Sequence, residues 1–538
     1  MTKMSGGEAL AKSLYREGVR VIFGLPGVQL YHLIDGLSKE PGIRFITTRH
    51  EQATTYMADG YARAGGGVGT ALVVPGPGLQ NASAGIGTAY SASSPILVVA
   101  GQIERDLIGV ERGMLHEIKG QIDTIKPITK HQQLILDPTE IPEAVHEAFR
   151  QLNTGRPRPV EIEIPPETMA EISDIDLLES GQHHRPAASS HDIKKSIDLI
   201  TGSKNPLIWG GGGVISSEAS REFTELAEFL QAPVITTGEG RGSISDRNHL
   251  SIGSFRFKND KFFEESIQSY DLIIAVGTRL AYPELLTGQT VLQIDIDPHE
   301  IGRNYNNTVG VEGDAKKTLK YILSELKTRM PARKPRKDEL IKIKKERYNA
   351  STTVEPQQSY VDAIRDAMPD DGILVSGMTQ IGYYSRNRYE VYEPRTYITS
   401  SYYGNLGYAY PTALGAKVAK PDKSVVAVSG DGGFMFNVQE LATAVQHDIN
   451  VVVVVFNDNA FGNVMRDQIN TFDGRDYGAK LTNPDFMKLS DSFGVRGIRI
   501  SDGDPKKLNT HLKEALAIES PSLIEVPVGP MPNPFRHY

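Results

Sequence analysis

The stretch SVVAVSGDGGFMFNVQELATAVQHDINVVVVVFNDNAFG, residues 424–462, decides how the chain folds. Its β-branched run at 425–428 reads as a buried strand that ends at Gly430-Asp431-Gly432. A helical pattern follows from 436 to about 445, and a second apolar run at 451–456 ends at Asn457-Asp458-Asn459. Continuous Val-rich runs joined through a helix are the mark of a parallel sheet covered on both faces. Both loops then leave the sheet at its carboxyl edge, where open α/β sheets bind ligands. Asp431 and Asp458, 27 positions apart, are expected to lie side by side there. Two carboxylates with nearby carbonyls suit Mg²⁺, which keeps phosphate oxygens in its shell. Gly430, Gly432 and Gly433 let the backbone approach a diphosphate, and the following helix is expected to aim its N-terminus at the same group. A Gly-Asp-Gly turn alone is only an N-capped helix start. The Asn-Asp pair after a second buried strand makes the pattern specific.

Outward from this segment the same alternation recurs. VRVIFGLPG (19–27), IRFITTRHE (43–51) and GTALVVPGPG (69–78) are apolar runs that close on turns before helical patterns. NPLIWGGGGV (205–214), APVITTGEG (232–240), DLIIAVGTRL (271–280) and VLQIDIDP (291–298) form a second block, and a third follows residue 358. Residues 173–192 lack periodicity and read as a linker; the charged stretch 327–347 reads as an exposed linker or helix. The expected fold is α/β, with three doubly wound parallel-sheet domains at 1–172, 190–330 and 358–538.

The composition restricts function by exclusion. At 538 residues the chain exceeds one hydrophobic core. A net charge of −8 without a basic face argues against nucleic acid. The chain has no cysteine, which removes disulfides, thiolate catalysis and Cys-ligated zinc or iron–sulfur centres. No apolar run approaches the roughly 20 residues of a membrane span. The N-terminus reads as a polar amphipathic helix rather than a signal peptide. A soluble, cytoplasmic protein is expected, with neither membrane nor nucleic acid as partner.

The 424–462 segment resembles the signature of thiamine diphosphate enzymes, and TTRHEQATTYMADGYAR (47–63) resembles the first-domain motif of the acetolactate synthase, pyruvate oxidase and 2-oxoacid decarboxylase superfamily. This implies a pyrimidine-binding first domain, a Rossmann-like central domain and a diphosphate-binding third domain. It places Mg²⁺ on Asp431, Asp458 and the main-chain carbonyl of Ala460. Asp458 departs from the family, which has Asn there. The resemblance makes Glu51 the carboxylate that shares a proton with the aminopyrimidine ring, and burial is expected to adapt it to that task. It carries Pro26, Gly76, Asn81, Thr379, Gln380, Gly404, Gly462 and Val464 to the cofactor, and makes Leu406 the apolar wedge beneath it. In the family the glutamate domain of one subunit faces the metal domain of another, which implies a homodimer or homotetramer with interfacial active sites.

Within the superfamily the resemblance is strongest to acetolactate synthase catalytic subunits, through GLPG (24–27), PITKH (127–131), IDIDPHEIGRN (294–304) and NVQELATAVQ (437–446). The implied activity is decarboxylation of a pyruvate-like 2-oxoacid and ligation of the remaining two-carbon unit to a second carbonyl. Non-oxidative 2-oxoacid decarboxylation, cleavage of a 2-hydroxyacyl-CoA and a flavin-dependent pyruvate oxidase are the alternatives, so the substrate is a small 2-oxoacid or acyl compound. The chain departs from the synthase pattern: the family's Phe-Gln pair falls on His116-Glu117, and no tryptophan follows Gly462-Asn463-Val464-Met465. An imidazole titrates near neutrality, so His116, with Gln80, is a candidate proton handler or substrate contact. Val28 leaves no ionisable group where some family decarboxylases carry one. Arg279, Asp295 and Asp297 match positions that contact FAD or ADP in relatives, but GSFRFKND (253–260) and TRLAYPE (278–284) lack the flavin-associated motifs. FAD or ADP stays open for the central domain.

Overall fold

A computed structural model describes residues 2–254, 265–281, 288–350 and 353–534. Three six-stranded sheets, each wholly parallel, organise them. The N-terminal sheet runs, across its width, Arg44–Thr47, Val21–Gly24, Gly69–Val73, Ile96–Gly101, Val160–Ile164, His131–Leu134. The C-terminal sheet runs Tyr397–Thr399, Ile373–Ser376, Val425–Gly430, Val452–Asn457, Ser522–Pro527, Arg496–Arg499. Numbered by chain order within each sheet, both read 2-1-3-4-6-5. The central sheet, from Ser251–Ser254 to Thr308–Glu312, reads 3-2-1-4-5-6. In every case the strand order reverses beside the first strand, and a crevice opens at that switch point on the carboxyl edge. The expected class, three parallel α/β domains, is the one observed.

The N- and C-terminal domains share one core. The helix Glu51–Arg63 crosses the helix Ala409–Ala419, and Tyr56, Met57, Tyr408, Ala413, Leu414 and Val453 belong to one continuous buried cluster. Small residues permit the crossing: a Cβ on Gly60 would collide with the carbonyl of Thr412, and one on Gly415 with that of Met57. The central domain keeps cores of its own around Phe223, Leu226, Ile274 and Trp209.

Local structure departs from the sequence reading in two places. The helix expected from 436 starts only at Glu440 and runs to Gln446, with a separate single turn, Asp431–Phe434, before it. The stretch read as linker begins with a strand, Ile172–Ile175, that pairs antiparallel with Thr2–Ser5 and ties the domain's end to its beginning. After Thr2–Ser5, the helix Gly6–Arg16 is closed by a capping box between Ser5 and Glu8. The charged stretch after residue 327, read as an exposed linker or helix, falls on two helices, Ala315–Arg329 and Lys337–Ala350.

If the glycine crossing holds the two domains together, Gly415→Val forces the helices apart. Overpacking of this kind costs about 1–3 kcal/mol, so the melting midpoint is expected to fall by several degrees. An unchanged melting curve would contradict the close crossing.

Candidate functional site

The switch point of the C-terminal sheet carries the expected carboxylates. Gly430 pairs with Phe456 across adjacent strands, so Asp431 and Asp458 start neighbouring loops. The loop after Ile373–Ser376 adds Thr379 and Gln380. Together these loops wall a cavity of about 90 Å³ lined by Leu406, Gly430, Asp431, Gly432, Gly433, Asp458, Ala460, Gly462 and Val464. Gly404 stands two residues before Leu406 in the left-handed region, at φ 69°.

Electrostatics mark this cavity. Burial pushes the Asp458 carboxyl up to about 6, and the charge of Asp431 adds to the rise. Burial raises Asp431 as well. Two carboxyls raised together at one point are a site whose charge a cation would balance. Asp458 Oδ1 accepts the Ala460 amide at 3.2 Å, and Asp431 Oδ2 accepts from Asn483 Nδ2 at 2.6 Å. The Asn483 nitrogen also reaches Asn457 Oδ1 at 3.0 Å and Asn459 Oδ1 at 3.2 Å. A Cβ on Gly462 would strike the Asp458 carboxylate, which explains glycine there. Among the described residues no three His, Cys, Asp or Glu side chains converge as a metal cage. A metal here would therefore rest on two carboxylates, main-chain oxygen and ligand phosphate, the donor set Mg²⁺ accepts. The helical turn Asp431–Phe434 starts at this edge with Gly432 and Gly433 in it, so the glycine backbone and the turn's N-terminus coincide.

The N-terminal sheet builds a second half-site at its own switch point. Pro26, Glu51 and Gly76 follow its three adjacent strands Val21–Gly24, Arg44–Thr47 and Gly69–Val73. Gln80 and Asn81 lie in the first turns of the helix Pro77–Ala92, exposed, and Asn81 Nδ2 donates to Glu51 Oε2 at 3.1 Å. Gly76 has φ 57°, and a Cβ on it would collide with the carbonyl of His116. His116 is half-buried, and its neighbour Glu117 is spent locally, accepting the amides of Gly113 and Met114 at 2.6 and 2.8 Å. Glu51 is also half-buried, so the burial expected for it is partial.

The two half-sites do not share a cavity. None of the residues lining the space around Asp431 comes from the N-terminal domain. Its 90 Å³ is small against the roughly 300–1,000 Å³ of complete ligand pockets. Apolar side chains stand exposed beside both halves: Val28, Tyr31 and Leu115 on one, Met435, Phe436 and Val464 on the other.

One contact between the domains bears on Glu51 directly. The buried Glu440 carboxylate accepts the Arg49 amide at 3.1 and 3.2 Å, and Gln52 Oε1 accepts from Asn437 Nδ2 at 3.1 Å. The C-terminal domain thus fixes the turn that starts the Glu51 helix. Sequence reading quoted NVQELATAVQ without giving Glu440 this role, and nothing in the sequence signalled Asn483.

The central sheet's switch point opens on a cavity of about 270 Å³ where all three domains meet. Gly212, Gly213 and Gly277 line it, with Arg156, Arg279, Asp295 and Tyr402. Arg279 stacks on Tyr402 at 4.2 Å, burial pushes Asp295 up to about 6, and Asp297 pairs with Arg156 at 3.5 Å. Glycines at a strand end beside a half-buried carboxyl and arginines fit a nucleotide diphosphate and ribose. Residues 255–260 and 282–284, within the two flavin-diagnostic stretches, lie outside the described residues.

Comparisons with known proteins agree with this geometry. The N-terminal thiamine pyrophosphate-binding domain model matches residues 4–125, the central domain model 193–322 and the C-terminal thiamine pyrophosphate-binding domain model 377–526. A probable acetolactate synthase large subunit of Methanocaldococcus jannaschii is 34% identical over 98% of this chain and 92% of its own length. The acetolactate synthase isozyme 3 large subunit of Escherichia coli is 31% identical over 96% and 93%. A probable 2-ketoarginine decarboxylase of Pseudomonas aeruginosa is 32% identical over 97% and 94%.

Burial pushes Glu440 up to about 7. An unfolded glutamate ionises near 4.3, so the folded state holds the proton more tightly and loses stability as pH rises through 7. Glu440→Gln keeps an acceptor for Arg49 without that charge. Its melting point relative to the parent is expected to improve from pH 5 to about pH 7 and level off above it, and a difference independent of pH would contradict the assignment.

Proposed function

Because the chain belongs to the thiamine pyrophosphate enzyme family, we propose that it is a Mg²⁺- and thiamine diphosphate-dependent enzyme that decarboxylates a pyruvate-like 2-oxoacid and ligates the remaining two-carbon unit to a second carbonyl. The observation that carries this reading is the pair of half-sites at equivalent switch points, one with paired carboxylates and the other with Glu51. Names of the relatives from Methanocaldococcus jannaschii and Escherichia coli support the synthase-like activity. The absence of an ionisable group at Val28, exposed beside Glu51's half-site, fits it too.

In this proposal Asp431, Asp458 and the Ala460 carbonyl hold the metal. Asp458 brings a charge where the family has a neutral amide, which strengthens its hold on a divalent cation. Thr379, Gln380, Gly404, Gly430, Gly432, Gly433, Gly462 and Val464 surround the diphosphate, and Leu406 supports the cofactor from below. Pro26, Gly76 and Asn81 face it from the other half. When bound, the cofactor supplies a nucleophilic carbon that accepts and stabilises charge next to a carbonyl. Glu51 holds and moves a proton at the cofactor's pyrimidine nitrogen. Asn81 orients the Glu51 carboxylate. His116 handles a proton on the substrate side, and Gln80 contacts substrate. The exposed apolar rims of the half-sites close on a second copy, which makes the active unit a homodimer or a pair of dimers. The central cavity takes an adenosine diphosphate moiety, the part common to FAD and ADP.

A second reading, non-oxidative decarboxylation to an aldehyde, draws on His116 and on the Pseudomonas aeruginosa relative's name. Product analysis with pyruvate separates them. A 2-hydroxy-2-methyl-3-oxoacid is expected, with at least a hundredfold loss in Glu51→Gln. Aldehyde alone would establish the second reading. Peroxide with acetyl phosphate, together with a flavin absorbance band, would make the chain an oxidase. Full activity in Glu51→Gln would overturn the proposed role of that residue.

A further inference from the structure

His116 sits in a backbone conformation that needs explanation. Its φ is 70°, in the left-handed region that a residue with a Cβ seldom occupies, and its carbonyl packs onto Gly76. Such an outlier persists only where its surroundings hold it, and often at sites of function. Gln29, two residues beyond Gly27, supplies part of that hold. It is buried, at 7% exposure; its Nε2 donates to the Leu115 carbonyl at 3.2 Å, and its Oε1 lies 3.1 Å from His116 Nδ1.

These contacts leave one self-consistent assignment. A main-chain carbonyl can only accept, so the amide nitrogen of Gln29 must face Leu115. The amide oxygen therefore faces the imidazole and can only accept from it. Nδ1 must then carry the proton, and in the neutral ring Nε2 is left with a free lone pair. Gly76 is pinned by the same logic one step further in: its amide donates to Gln121 Oε1 at 2.7 Å, while Gln121 Nε2 donates to Gly101 O at 3.0 Å. Thus the seat beneath His116 cannot slide.

We infer that Gln29 is a positioning residue that fixes the tautomer of His116 and presents Nε2 as the basic, proton-accepting atom. The inference rests on the proposed proton-handling role of His116 for its functional consequence, but not for its geometry. The mechanism is the one by which a second partner on one imidazole nitrogen sets what the other can do. Residues 28–30 and 75–78 carry no charged side chain, Glu117 is held by the Gly113 and Met114 amides, and Glu111 pairs with Lys119 at 2.8 Å.

The test uses full-length protein labelled with ¹⁵N-histidine, with His116→Gln identifying the His116 resonances. At neutral pH the parent is expected to show a protonated Nδ1 and an unprotonated Nε2. Gln29→Leu is expected to mix the tautomers and lower turnover about tenfold, with no further loss when combined with His116→Gln. Gln29→Glu keeps an acceptor for Nδ1, so it is expected to retain the tautomer, recover turnover relative to Gln29→Leu, and shift the acidic limb of the pH profile upward. A protonated Nε2 in the parent, or a tautomer indifferent to Gln29→Leu, would overturn the inference. Full turnover in His116→Gln with the expected tautomer would instead overturn only the role proposed for His116.

Discussion

Asp431 and Asp458 are forced together by sheet register. The ladder that pairs Gly430 with Phe456 leaves the chain no freedom to separate the residues that follow. Both carboxyls are partly removed from water and both are raised, so the ionised pair is unfavourable unless a cation joins it. The Val-rich strands, the bare Gly462 and the Asn483 bridge all serve the same arrangement. Without them, the loops would relax and the two charges would separate into solvent.

The N-terminal sheet repeats the C-terminal topology, and this repetition makes the site divisible. Each domain offers one switch point, one set of loops and one half of a chemical apparatus. Within a chain the two domains are joined through the Glu51–Arg63 and Ala409–Ala419 crossing and through Glu440. Those contacts orient Glu51 but do not bring it to the cavity beside Asp431. In the proposed function, a half-site that opens outward with exposed apolar neighbours is completed by another copy.

Much of this was legible in the sequence. The Val runs, their Gly-rich ends and the spacing of Asp431 and Asp458 gave the parallel sheet and its loaded edge, because strand burial and loop chemistry are local properties. The start of the helix at Glu440 rather than 436 was not legible, since the apolar pattern runs on through the intervening residues. The pairing of Ile172–Ile175 with Thr2–Ser5 was hidden by polar residues on short edge strands. Asn483, Glu440 and Gln29 were missed for one shared reason. Each acts through a partner distant in sequence, and an uncharged or ordinary helical residue carries no signal of that partner.

The central claim is that a working site takes Glu51 from one subunit and Asp431 from another. Glu51→Gln and Asp431→Asn, each inactive alone, can be mixed under conditions that let subunits exchange. Random pairing makes half the dimers mixed, and each mixed dimer holds one intact site of two, so about a quarter of the parent activity is expected to return. If subunits exchange and no activity returns, both halves belong to one chain and the account is wrong.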